Sequence, residues 1–141
     1  RQMCIRDSHN SRSYIFSASI TPASTAAVSA ALDIMESEPE RIEHLWEMTH
    51  YALDGFRNMG CEIGNTSTPI IPLFIRDNNK TFRITRELFD EGVFVNPVVS
   101  PAVPSDSTLI RFSLMATHTK EQLDFALDKI QKCFKRYDLL K

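Results

Sequence analysis

An arginine set in the middle of an alternating apolar segment is the sharpest chemical feature of this sequence. Leu109-Ile110-Arg111-Phe112-Ser113-Leu114 places Leu109, Arg111 and Ser113 on one side of a period-two pattern and Ile110, Phe112 and Leu114 on the other, the signature of a strand whose two faces differ. A guanidinium held by such a strand offers a planar fork of N–H donors that fits a carboxylate bidentately. The plainer alternative is a strand-face arginine paired with an acid of the same chain. A second feature is Ser17-Ala18-Ser19, just ahead of Thr21-Pro22. Hydroxyls and free backbone N–H groups before a helix start can cradle an anion, which the helix dipole also favours. Simple capping by Ser19 or Thr21 is the alternative there.

The other polar residues form no complete catalytic set. His9, His44, His50 and His118 are scattered, and no two have the spacing of a metal pair backed by a third ligand. His44 with Glu47, and His50 with Asp54, fall on neighbouring helical turns, where surface pairing accounts for them. His118 precedes the Thr119 cap, a place for packing or a backbone hydrogen bond. The lysines from Lys80 to Lys141 fall in turns or on polar helix faces. Cys4, Cys61 and Cys133 are odd in number, far apart and without Cys-x-x-Cys spacing, which reads as reduced, buried thiols.

Several elements must position these groups. Thr21-Pro22 is a capped start for a helix over about Pro22 to Ser37. Its content of Ala23, Ala26, Ala27, Ala30 and Ala31 with small hydroxyl residues leaves room for close backbone approach, although helix propensity explains it equally well. Pro39 opens a second helix with the stripe Ile42, Leu45, Trp46, Thr49, Ala52, Leu53, Phe56 and Met59, closed by Gly60. Pro69 to Ile75 reads as a buried strand, for which Pro69 and Pro72 suggest an edge position or a late start. Asp77-Asn78-Asn79 reads as a turn. Lys80 to Glu91 reads as a helix carrying Phe82, Leu88 and Phe89, closed by Gly92. Val93-Phe94-Val95 is expected as a strand, Asn96 to Pro104 as a proline-rich loop, and 108–114 as the strand of Arg111. Thr119 with Gln122 forms a capping box for a last helix, striped by Leu123, Ala126, Leu127, Ile130, Phe134 and Tyr137. The order α-α-β-α-β-β-α predicts an α+β fold with a small, mainly antiparallel sheet covered on one face by helices and preceded by a long helix. The strands near 70–75, 93–96 and 108–114 are expected to share that sheet, with Trp46 and Phe134 packed on it.

With 141 residues, 43% of them hydrophobic, 24% charged and only four glycines, the chain fits one soluble core and excludes collagen-like, disordered and disulfide-scaffold classes. Sixteen basic against eighteen acidic residues give a net charge of −2, no surplus with which to hold a phosphodiester backbone, so no nucleic-acid partner is expected. No apolar run reaches the length of a membrane span, and charges near the N-terminus stand where a signal peptide is apolar. A cytoplasmic location is therefore expected. Residues 1–8 match neither period and read as a non-native extension. Residues 9–38 are expected to form an interface segment with its helix, and residues 39–141 the α+β domain.

Four segments carry a family resemblance: Tyr14 to Pro22, Gly92-Val93-Phe94-Val95-Asn96-Pro97, Ser100-Pro101-Ala102-Val103-Pro104, and Leu109 to Thr119 with its Arg111 followed by Ala116-Thr117-His118-Thr119. In this order they resemble the C-terminal part of the α-oxoamine synthases. The resemblance implies a fold-type I enzyme using pyridoxal 5'-phosphate (PLP), which condenses an amino acid with an acyl-CoA and releases CO₂. It implies that Ser17, with the Ala18 N–H, contacts the cofactor phosphate across a homodimer, and that Arg111 holds the amino-acid carboxylate. It implies a mobile loop over Ser100, Pro101, Val103 and Pro104, with Ser100 standing where the family more often has proline. No lysine here matches the family's Schiff-base lysine, so the chain resembles a C-terminal fragment that is inactive alone. Within the family, 93–104 looks most like the serine palmitoyltransferase branch. Glycine C-acetyltransferase and 8-amino-7-oxononanoate synthase are the enzyme alternatives, and a free-standing small-molecule-binding module using Arg111 is the non-enzyme one.

Overall fold

The computed structural model of this chain describes residues 6, 10–12 and 20–140. Two compact units divide it, Arg1–Glu38 and Pro39–Lys141. In the first, helix α1 spans Pro22–Ser37, the range its sequence predicts. Thr21 is extended and its hydroxyl oxygen accepts the Ser24 N–H at 3.3 Å. Pro22 takes the first helical position, where a missing N–H loses nothing.

The second unit holds α2 (Glu40–Asn58), β1 (Ile70–Phe74), α3 (Asn78–Asp90), β2 (Asn96–Val98), a 3₁₀ turn at Ser105–Ser107, β3 (Leu109–Ser113) and α4 (Lys120–Arg136). The three strands form one antiparallel sheet in the order β1-β3-β2, with Pro72 and Asn96 on either side of Arg111. Both prolines expected to mark an edge stand in or beside edge strand β1, where a missing donor breaks no ladder bond. Alternation sends Ile71, Leu73, Ile110 and Phe112 into the core beneath the helices. Ile70, Pro72, Phe74, Leu109, Arg111 and Ser113 line the opposite face, which no helix of this unit covers. Phe56 of α2 meets Phe112 of β3 edge-on with ring centres 5.1 Å apart. The core continues through Ile84 and Leu88 of α3 and Ile130 and Phe134 of α4, all fully shielded from water. Each such side chain stabilises the fold by about 1.5–3 kcal/mol relative to its exposed state.

Four local expectations are corrected. Val93 to Val95 are not strand: the Val93 N–H is taken by Leu88 O at 2.8 Å as α3 closes, so pairing begins only at Asn96, and Asn96 to Val98 lie in β2 rather than in the loop. Asn78 and Asn79 belong to α3, because Asp77 rather than a turn precedes it, its carboxylate accepting the Lys80 N–H at 2.7 Å. That start turns Thr81, Ile84 and Leu88 inward and leaves Phe82 and Phe89 exposed. In α2, Met48 is buried while Trp46 is 42% exposed and stacks on His50. The buried line of α2 is Met48, Thr49, Ala52, Leu53 and Phe56, whereas Ile42 and Trp46 of its first turns are exposed.

The predicted capping box is present on α4. Thr119 Oγ1 accepts the Gln122 N–H at 3.4 Å and Gln122 Oε1 accepts the Thr119 N–H at 3.0 Å. Replacing Thr119 by alanine lowers stability by about 1 kcal/mol, since one orphan donor of the helix start loses its acceptor. Urea unfolding then shows a lower midpoint with an unchanged slope.

Candidate functional site

Arg111 stands at the centre of the central strand, on the open face of the sheet. Its neighbours Ile110 and Phe112 are anchored in the core, which fixes the backbone that carries it. The side chain is exposed, and among the described residues no acid pairs with it and no group accepts a hydrogen bond from its guanidinium. The intrachain ion pair, the plain alternative for this residue, is therefore not formed among those residues. Its donors stand on a strand between Pro72 and Asn96 in register and between Leu109 and Ser113 along the same face, a geometry that can accept a planar anion.

The loop of Ser100, Pro101, Val103 and Pro104 leaves the sheet beyond Val98 and returns at Leu109, two register positions from Arg111. Ser100, Pro101 and Pro104 are exposed and Val103 is half-buried. The Ala102 N–H donates to Val99 O at 2.9 Å, closing a turn within the loop. Ser17 and Ala18, expected at a cofactor phosphate, lie outside the described residues, as do most of residues 1–8.

Beyond β3 the chain turns at 115–118. The Met115 N–H donates to His118 Nδ1 at 3.1 Å, and His44 Nε2–H of α2 donates to His118 O at 2.9 Å. His118 thus serves the backbone of the turn, as its place before the cap suggested. Cys61 and Cys133 are free and buried, and burial pushes both thiols up to about 11, so neither is poised as a nucleophile. Among the described residues no cluster of three ligating side chains could hold a metal. None of the described lysines is buried. The most sheltered, Lys129, is ion-paired with Glu91, which holds its ammonium above the usual range, the reverse of what an amine nucleophile needs.

Sequence patterning does not single out Arg76, which the structure places at the end of β1 in the left-handed region at φ 64°. Its guanidinium grips the Glu62 carboxylate through Nε, at 3.2 Å, and Nη2, while Nη1 donates to Asp106 O at 3.1 Å. The only local signal was a long cation after a strand, because both partners are distant in sequence.

The structure thus presents an arginine with no partner among the described residues on the open face of a small antiparallel sheet backed by helices. The aminotransferase class I and II family profile matches residues 8–130, and the chain belongs to that family. It is 60% identical over 132 residues to the serine palmitoyltransferase of Bacteroides thetaiotaomicron, covering 94% of this chain and 34% of that protein. It is 37% identical over 129 residues to the 8-amino-7-oxononanoate synthase of Fervidobacterium nodosum, covering 92% of this chain and 33% of that protein. The solved structure of a serine palmitoyltransferase from S. paucimobilis with a bound PLP–myriocin aldimine matches with a TM-score of 0.81 at 25% identity, covering 99% of this chain and 36% of that one. The chain spans about a third of the length of these relatives.

Proposed function

We propose that this chain is the C-terminal third of a PLP-dependent acyltransferase of the serine palmitoyltransferase type, which joins an amino acid to an acyl-CoA with loss of CO₂. The observation that carries the reading is the unpaired Arg111 at the centre of the open sheet face. PLP, when bound, supplies the electron sink that allows a bond at the amino-acid α-carbon to break. The lysine that anchors PLP covalently is assigned in this reading to the remainder of the longer protein. Ser17 and the Ala18 N–H are the residues of this chain proposed to meet the cofactor phosphate. Arg111 grips the substrate carboxylate in a two-pronged hydrogen bond. Fixing that group decides which α-carbon bond is aligned for cleavage. The loop of Ser100, Pro101, Val103 and Pro104 closes over the substrate beside Arg111 and excludes water.

In this reading α1 belongs to a subunit interface of a cytoplasmic homodimer. Val28, Leu32 and Met35 share one of its faces by helical spacing, and all three are exposed. Among the described residues no helix is long and apolar enough to cross a membrane. The greater identity to a serine palmitoyltransferase than to an 8-amino-7-oxononanoate synthase, 60% against 37%, favours the former chemistry.

The experiment is a cofactor-trapping comparison. The 141-residue chain, incubated with PLP, reduced with borohydride and dialysed, retains no stoichiometric label on a single lysine, whereas the full-length protein does. Peptide mapping locates the label. Specific, stoichiometric labelling of one lysine of this chain overturns the assignment of the anchor to the remainder of the protein.

A further inference from the structure

We propose that Arg76 is a positioning residue that pins the C-terminal end of the 99–108 loop, so that the strand carrying Arg111 stays fixed while residues 100–104 move. The proposal rests on the reading of Arg111 as the carboxylate anchor. Arg76 carries a side chain at φ 64°, a conformation unfavourable to any residue with a Cβ and retained only where surrounding contacts over-determine it. Those contacts come from three segments. The Ile75 and Arg76 N–H groups both donate to Thr108 O at 2.9 Å. The guanidinium closes a fork on Glu62 and donates to Asp106 O. Its Cζ lies 5.3 Å from the centre of the Phe74 ring.

The far side of the clamp is equally held. Thr108 is fully buried, and its Oγ1 is hydrogen-bonded with Thr81 Oγ1 at 3.3 Å. Leu109 and Arg111 follow directly in the chain. Among the described residues, by contrast, every hydrogen bond made by 100–104 stays within 99–107: Ala102 to Val99 and Ser107 to Pro104. The loop is thus divided near Pro104 into 100–103, whose hydrogen bond returns to Val99, and 104–108, which is joined to β1 through Asp106 and Thr108. While Arg76 holds the second part, motion of the first is not passed along 105–108 to the strand of Arg111.

The decisive variant in the full-length protein is Arg76→Gly. Glycine takes φ 64° without strain and keeps both N–H bonds to Thr108, so the backbone survives and only the side-chain contacts to Glu62, Asp106 and Phe74 are lost. Amide exchange at 105–108 is expected to quicken on the order of tenfold, as a local opening becomes easier. The KM for the amino acid is expected to rise about three- to tenfold with kcat changed by less than about twofold, the split that a displaced binding group gives. Arg76→Lys, which keeps the charge and lacks the fork, falls between. Unchanged exchange and KM in Arg76→Gly overturn the proposal. Faster exchange with an unchanged KM, in a protein whose Arg111→Ala variant does lose amino-acid affinity, overturns the link from clamp to anchor. If Arg111→Ala itself leaves affinity unchanged, the carboxylate reading fails instead, and exchange at 105–108 alone decides whether Arg76 is a clamp.

Discussion

Replacing Arg111 by alanine in the full-length protein lowers amino-acid affinity about ten- to a hundredfold while cofactor binding stays nearly unchanged. The magnitude follows from losing a charge-assisted pair worth roughly 1.5–3 kcal/mol. Stability is expected to change little, because the Arg111 side chain is exposed and, among the described residues, holds no partner whose loss would expose a buried charge. Arg111→Lys keeps the charge and lacks the planar fork, so it recovers only part of the affinity. Ser17→Ala is expected to do the reverse, weakening cofactor retention with a smaller effect on the amino acid once cofactor saturates. The measurements are titration of the cofactor absorbance with amino acid and, separately, with the cofactor itself. An Arg111→Ala protein that unfolds, with no selective loss of amino-acid binding in any soluble preparation, would mean that the residue holds the fold rather than the substrate.

Replacing Phe56 by alanine destabilises the Pro39–Lys141 unit by about 3–5 kcal/mol, the range for deleting a buried aromatic ring and leaving a cavity. Phe56 is fully shielded and its ring meets Phe112, the residue next to Arg111 in β3. The loss is large because α2 and the sheet meet through this contact and the backbone cannot collapse on both sides at once. Phe56→Leu, which retains most of the volume, is expected to cost less than half as much. Chemical denaturation followed by far-UV circular dichroism reads the difference. Where Phe56→Ala stays folded, its amino-acid affinity falls far less than that of Arg111→Ala. That contrast separates support of the strand from contact with the ligand.

Local periodicity and capping were legible along the chain without knowledge of any distant contact. Alternation in 109–114 assigned Ile110 and Phe112 to the core and Arg111 to the other face, because successive side chains of a strand point oppositely whatever surrounds it. Thr21-Pro22 and the Thr119–Gln122 box marked helix starts through bonds spanning three residues. Pro69 and Pro72, through the donors they lack, pointed to an edge position or a late start, and β1 is an edge strand that begins at Ile70. The tertiary structure alone decided which candidates on an apolar stripe are buried: Met48 rather than Trp46, and Ile84 rather than Phe82. Helical spacing defines an arc of the surface, while the extent of the sheet beneath determines how much of that arc is covered. It alone decided that β2 begins at Asn96, since the closing of α3 occupies the Val93 N–H first. That Arg111 finds no acid among the described residues, and that Arg76 joins Glu62 to Asp106, depend on separations set by packing between segments 14 to 30 residues apart and more. Such contacts leave no periodic trace, because their energy is gained only when the folded backbone brings the groups together.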